Sequence, residues 1–391
     1  MTVTTDRRLV RLGDVAQINP TWDKNITPDD PVSFVGMANM SDEAGRTMDE
    51  EVRTVAQVRK GFTPFRRDDL LVAKITPCFE NGKIGRAAIS NRLGAGSTEF
   101  HVVRPGKDID GSYALHFLRR PDFRVAGELR MTGSGGQRRV PVSYVAETKI
   151  PLPPLDEQRR ISAILDKADE LRTKRREALA HLNTLTQSIF HSTFGDPVSN
   201  PQEWPLHPLS ELGNLDRGVS KHRPRNDPKL LGGPYPLVQT GDVARAGAYL
   251  TTFAATYSEL GLRQSRLWPA GTLCITIAAN IAKTAILKIQ ACFPDSVVGF
   301  TANPATTQYV RVWLSFLQAT LEAQAPESAQ KNINLAILNA LQVPVPPLEL
   351  QQAFATRITA VERLKETHRK HLAELDALFA SLQHRAFKGE L

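Results

Sequence analysis

Cysteine is scarce. The 391 residues hold three, Cys78, Cys274 and Cys292, and none forms a C-x-x-C pair. So sparse and odd a set excludes a disulfide-stapled secreted scaffold and fits a reducing compartment. No His/Cys/Asp grouping has metal-ligand spacing. Nucleotide signatures are missing as well: there is no G-x-x-x-x-G-K-[ST] loop, and no G-x-G-x-x-G follows a strand. Long hydrophobic runs are absent too. The most apolar stretch, Leu267 to Ile289, is broken by Pro269, Gly271, Asn280 and Lys283, which excludes a transmembrane helix. Met1 to Val10 is polar, carries Asp6, Arg7 and Arg8, and lacks the apolar core of a signal peptide. The expectation is a soluble, cytoplasmic protein with no membrane contact.

Catalytic motifs are equally thin. Asn19-Pro20-Thr21-Trp22 comes nearest to the Asn/Asp-Pro-Pro-aromatic tetrad of adenine methyltransferases but lacks the second proline. Pro121-Asp122 followed by Glu147-Thr148-Lys149 loosely matches a PD…ExK nuclease, a pattern that arises easily by chance. The sequence thus points to no catalytic residue, no metal and no cofactor of its own.

What is present is basic charge and a repeat. The formal net charge is +8, which favours polyanionic partners, nucleic acid first, and hydrophobic residues make up 41%, enough for real cores. The segment IPLPPLDEQRRISAILDKADELRTKRREALAHLNTLTQSIFHSTF, from Ile150, aligns without a gap to VPVPPLELQQAFATRITAVERLKETHRKHLAELDALFASLQHRAF, from Val343. The match extends upstream, where Gln137-Arg138-Arg139-Val140 stands opposite Gln330-Lys331-Asn332-Ile333. Further upstream the halves diverge, although Leu12-Gly13-Asp14-Val15 still resembles Leu209-Ser210-Glu211-Leu212. The plan is a variable segment (1–149), a constant one (150–196), a second variable one (197–342) and a second constant one (343–391).

In each constant segment, prolines hold the lead-in extended, and a helix can begin near Asp156 or Glu349, acidic residues suited to the positive end of the helix dipole. Apolar residues then step by threes and fours. The first helix shows Ile161, Ile164, Ala168, Leu171, Ala178, Leu182, Leu185 and Ile189, broken by Arg175. The second shows Phe354, Val361, Leu364, Leu375, Leu378 and Leu382, broken by Arg357, His368 and His371. This is a coiled-coil pattern. A helix from Leu155 to His191 would span about 55 Å. Connectivity makes antiparallel pairing of the two helices the simplest way to cover both seams. The expected fold is α+β: two globular domains separated by two long helices in an antiparallel coiled coil, with a pseudo-two-fold internal repeat. Two readers held at opposite ends of such a rod match a DNA target split into two half-sites.

The variable segments show short β-rich runs at Pro31–Val35, Leu70–Ile75, Phe100–Val103 and Leu273–Ile277, with helices expected over Ser112–Leu118 and Gln308–Gln324. Candidate DNA contacts are Arg119, Arg120, Arg124, Arg130, Arg138 and Arg139 in the first, and Arg217, Lys221, His222, Arg223, Arg225 and Lys331 in the second. The loop Thr132-Gly133-Ser134-Gly135-Gly136-Gln137-Arg138-Arg139 stands out. Its glycines permit close backbone approach, and glutamine and arginine, here Gln137 and Arg138, are the side chains that pair bidentately with adenine and guanine edges; Ser134, and Gln330 in the other half, join them as candidate DNA contacts.

The doubled Pro-Pro-Leu-x-x-Gln element with its long helix, the Leu12-Gly13-Asp14-Val15 opening and the ending Ala386-Phe387-Lys388-Gly389-Glu390-Leu391 resemble the specificity subunits of type I restriction–modification systems over the whole chain. The resemblance implies two target-recognition domains on double-stranded DNA, helices that set an unread spacer, and two methyltransferase subunits that bind S-adenosylmethionine and methylate adenine. Where a restriction subunit joins, it brings ATP and Mg chemistry. Two other readings stay open at this point, a coiled-coil scaffold that binds no DNA and a self-contained DNA endonuclease.

Overall fold

Each Pro-rich lead-in is a strand. Lys149–Pro151 pairs antiparallel with Leu9–Arg11, and Gln342–Pro344 with Leu206–Pro208. A two-stranded ribbon tolerates proline, which has no N–H to give to a ladder. Each partner strand then turns into a one-turn helix, Leu12–Val15 or Leu209–Leu212, that buries its first leucine. This is the physical content of the likeness between the two openings.

The computed structural model describes residues 8–134, 136–278, 281–324 and 333–391. The long helices run over Leu155–Phe194 and Leu348–Lys388. The glutamine of each lead-in explains its own spacing. Gln158 is buried, donates from Nε2 to the Pro153 carbonyl at 2.8 Å, and accepts on Oε1 from the Asp110 N–H at 2.8 Å. Gln351 does the same, with the Pro346 carbonyl at 2.9 Å and the Thr306 hydroxyl at 2.9 Å. A tyrosine hydroxyl closes each junction: Tyr113 donates to the Pro151 carbonyl at 2.9 Å and Tyr309 to that of Pro344 at 2.5 Å. Buried backbone carbonyls freed by the prolines thus find partners.

Packing divides the chain into two compact units, Met1–Arg176 with Lys370–Leu391, and Glu177–Arg369. Each takes one variable segment and half of each long helix. Unit 1 has a four-stranded sheet, ordered Glu51–Thr54, Pro31–Val35, Leu93–Gly96, Thr63–Arg66. In its six-stranded sheet Leu70–Ala73 lies between Phe100–Pro105 and Ile84–Arg86. Helix Gly111–Leu118 is capped by Asp110, whose Oδ1 accepts from the Tyr113 N–H. The core joins Leu70, Val72, Tyr113 and Phe117 of the domain to Ile161, Leu165 and Phe387 of the helices. Unit 2 has a five-stranded sheet, ordered Asn214–Arg217, Val297–Thr301, Leu273–Thr276, Thr284–Leu287, Tyr249–Leu250, and a four-stranded one around Leu231–Leu237. Helix Pro304–Gln324 starts four residues earlier than expected because Asn303 caps it, accepting from the Thr306 N–H. Here Phe190, Phe194, Tyr309 and Phe354 form an aromatic core.

Within each unit the two helix segments run antiparallel. Arg172 Nε meets Asp376 Oδ1 at 2.6 Å in unit 1, and Lys365 Nζ meets Thr186 Oγ1 at 3.1 Å in unit 2. The apolar stripe differs in phase from the expected seam. It runs Ile161, Leu165, Ala168, Arg172 on one helix and Phe354, Ile358, Val361, Lys365 on the other. Ile161, Ala168, Phe354 and Val361 are buried as expected, and Ile164, Leu182 and Leu375 are half-buried. Leu171, Leu185, Leu364 and Leu378 are instead 40–51% exposed. The charged side chains of Arg172 and Lys365 occupy the inward positions and turn the adjacent leucines outward.

Candidate nucleic-acid interface

Most of the arginines singled out in unit 1 have intramolecular work. Arg119 is largely buried: Nη2 donates to the carbonyls of Asp42 and Glu43 at 2.8 and 3.0 Å, and Nη1 meets Asp169 at 3.3 Å. Burial pulls its guanidinium below the ordinary value while Asp169 pushes back. It belongs to the packing of unit 1, not to an open surface. Arg120 pairs with Asp122 and lies over the rings of Phe117 and Phe387. Arg124 packs on Gly82, where a Cβ would come within 2.7 Å of its Nη1. Arg130 donates to the Ala126 carbonyl at 2.9 Å and lies over the Tyr144 ring. Arg139 forks onto Glu99, with Nε and Nη2 at 2.9 and 2.8 Å, and holds that carboxyl below the usual carboxylate range.

Arg138 is different. Its side chain is 44% exposed, and its ion pair with Glu80 is long, 3.8 Å. Ser134 and Gln137 beside it are exposed. This loop stands on a fixed stem: Thr132 and Arg139 exchange backbone hydrogen bonds of 3.0 and 2.8 Å, the Thr76 N–H donates to the Arg138 carbonyl at 3.0 Å, and Val140 N–H to that of Lys74 at 2.8 Å. His101 braces the stem from beneath, with Nε2 2.9 Å from the Val140 carbonyl and Nδ1 facing Asn19 Nδ2 at 3.2 Å. Burial lowers the His101 imidazole below its ordinary value. Gly133 and Gly136 have φ of 121° and 76°, so both turns require glycine.

In unit 2 the basic residues Arg217, Lys221, Arg223 and Arg225 are exposed. Arg217 and Lys221 make no ion pair among the described residues and point to solvent. Arg223 donates to the Ser220 and His222 carbonyls at 2.6 and 2.9 Å and shares Asp295 with Arg225. His222 meets Asp227 at 3.1 Å. Gln330 and Lys331 lie outside the described residues.

Glu99, His101 and Asp169, which hold these arginines or their loop in place, were not among the candidates, because each partner lies roughly forty or more positions away in the chain. The loose nuclease pattern does come together in space, since Asp122, Glu147 and Lys149 line one cavity of about 700 Å³ with Arg130 and Tyr144. Asp122 is paired with Arg120, however, and no group of three His, Cys, Asp or Glu side chains among the described residues could hold a metal ion. Nor is any helix among them long and apolar enough to cross a membrane.

The family model for the type I restriction modification DNA specificity domain matches residues 6–181 and again residues 201–377. The chain belongs to the type I specificity-subunit family. This is a family of non-catalytic, DNA-recognising components of restriction–modification complexes. The EcoAI specificity subunit of Escherichia coli is 41% identical over 149 residues, covering 38% of this chain and 25% of that one. The EcoEI specificity subunit of the same species is 38% identical over 161 residues, covering 40% of this chain and 27% of that one. The aligned part thus spans about a quarter of each relative's length. Among solved structures, the type I S subunit from M. genitalium superposes with a TM-score of 0.60 at 14% identity, over 99% of this chain and 98% of that one. A chain from a study of type I complex assembly and conformational transition gives 0.55 at 20% identity, over 98% of both. These two share the fold of the present specificity subunit.

Proposed function

We propose that this specificity subunit reads a bipartite DNA target, one half-site per globular domain, separated by a fixed unread spacer. The observation that carries the reading is a repeated frame with unlike contents. Gln158 and Tyr113 recur as Gln351 and Tyr309 with the same hydrogen bonds to the proline carbonyls of the lead-ins, while the variable segments differ in length, charge and sequence. The two long helices act as the spacer, paired as an antiparallel coiled coil. Arg138 in unit 1 and Arg217 and Lys221 in unit 2 keep cationic groups exposed for DNA, with Arg223 and Arg225 beside the latter.

The outward leucines support a second part of the reading. Leu171 and Leu378 in unit 1, and Leu185 and Leu364 in unit 2, are large apolar side chains left exposed on helices. Such positions suit protein partners. We assign these partners as two methyltransferase subunits, which bind S-adenosylmethionine and methylate adenine, joined in some assemblies by restriction subunits that use ATP and Mg.

The test is selection of bound sequences from a randomised duplex pool by the full chain with its methyltransferase subunits. Two fixed half-sites at a constant gap are the expected result. Removing one heptad from each long helix should alter the gap and leave both half-sites unchanged. Altered half-sites at an unchanged gap would refute the spacer role.

A further inference from the structure

We infer that Gln137 and Arg138 grip the DNA backbone without reading bases, as a clamp on the loop of unit 1. The inference rests on the DNA-recognition role proposed above. Three observations lead to it.

The first is elimination. Arg119, Arg120, Arg130 and Arg139 are each committed to a carboxylate, a carbonyl or a ring of their own unit, and half-buried Arg124 packs on Gly82, whereas Gln137 is exposed and Arg138, with its side chain 44% exposed, makes a long ion pair of 3.8 Å with Glu80. The second is mounting. Four backbone hydrogen bonds and the His101 brace hold the loop exit against the sheet, so the donors are presented at low entropic cost. Gly136 has open space around the position of a Cβ, which lets another backbone approach closely.

The third is the repeat itself. The variable segments diverge, yet this short stretch persists: Gln137, Arg138 and Val140 stand opposite Gln330, Lys331 and Ile333. Arg139, committed to Glu99, is replaced by Asn332, and the loop glycines are not kept. The exit bond is common to both units, Val140 N–H to the Lys74 carbonyl at 2.8 Å and Ile333 N–H to the Ile277 carbonyl at 3.0 Å. Two domains that read different bases share one thing in their ligands, the phosphodiester backbone. An amide N–H₂ followed by a cation donates to phosphate oxygens whatever the base sequence.

The experiment uses the full chain co-expressed with its methyltransferase subunits, carrying Gln137→Ala, Arg138→Ala or Arg138→Lys. Binding is measured across a salt series to a selected target duplex and to a duplex of unrelated sequence, and the selected motif is determined for each variant. Arg138→Ala should weaken binding to both duplexes by the same factor, roughly tenfold, and make the salt slope shallower by about 0.9. Arg138→Lys should restore most of the slope, Gln137→Ala should weaken both duplexes without altering the slope, and the motif should not change. A motif that becomes degenerate at one half-site, or a loss confined to the target duplex, would overturn the clamp in favour of base reading. Unchanged affinity for both duplexes would also overturn it. If the unsubstituted chain selects no motif, the DNA-recognition reading itself fails.

Discussion

Position for position, Asp169 and Arg172 in one repeat stand where Glu362 and Lys365 stand in the other, yet the two units close the helix seam in different ways. In unit 1, Arg172 binds Asp169 and Asp376, each at 2.6 Å, Arg176 adds a contact to Asp376 at 3.1 Å, and Asp376 is 43% exposed. In unit 2, Lys365 binds Glu362 at 3.0 Å and Thr186 at 3.1 Å, Arg311 lies 3.9 Å from the same carboxylate, and none of these charged side chains is more than 11% exposed. Aromatic rings from Phe190, Phe354 and Tyr309 pack on one another in the same unit. The duplicated frame therefore tolerates either an ion network that ends on a half-exposed carboxylate or a buried one. The difference should appear as unequal sensitivity to losing a carboxylate.

The largest effect is expected at Glu362→Ala, which strands Lys365 and Arg311 without an anion in a buried site. We expect a loss of about 3–5 kcal/mol in urea unfolding of the full chain. Asp376→Ala, at a half-exposed site, should cost less than about 1 kcal/mol. Equal costs would break the comparison. The junction glutamines should instead behave alike. Gln158→Ala and Gln351→Ala each leave buried partners unsatisfied, at about 1–3 kcal/mol. A much smaller loss at one of them would show that the frame is not truly repeated.

A pH dependence should separate the units further. His101 in unit 1 has its imidazole held neutral by burial, so the unfolded chain binds its proton more readily. Stability from this group is complete above the ordinary histidine value of about 6.5 and is lost as pH falls below it. His101→Gln should flatten the thermal-unfolding curve in that window. A slope that is the same with and without the substitution would assign the acid sensitivity elsewhere. The smallest effect belongs to the outward leucines: Leu171→Ala and Leu364→Ala should change unfolding by no more than about 0.5 kcal/mol. Co-purification of methyltransferase subunits with these variants should nonetheless drop, and a full yield of the complex would remove the leucines from the partner surface.

Much of this frame was legible in the sequence. The lead-ins, the starts of the long helices at Leu155 and Leu348, and the strands at Pro31–Val35, Leu70–Ala73, Phe100–Pro105 and Leu273–Thr276 follow from proline chemistry and from β-rich runs. The phase of the helix stripe did not, because a hydrophobicity pattern leaves Arg172 and Lys365 off the seam, while the fold uses them as inward-facing contacts. The roles of the arginines were illegible for a related reason. A run of basic residues gives no sign of which guanidinium a remote carboxylate takes up: Asp169, on the first long helix, takes Arg119, and Glu99 takes Arg139. The short helices Pro121–Glu128 and Val142–Glu147 were not expected from the sequence.

The claim at the centre of this account is that the chain chooses DNA targets for enzymes that modify them. Its most direct test is a single-molecule map of modified bases in the host genome, with and without this chain. The account predicts adenine methylation at a split motif with a fixed gap, lost across the genome when the chain is removed and restored when it is returned. In a host whose methyltransferase partner is expressed, a methylation pattern that is the same with and without the chain would contradict it.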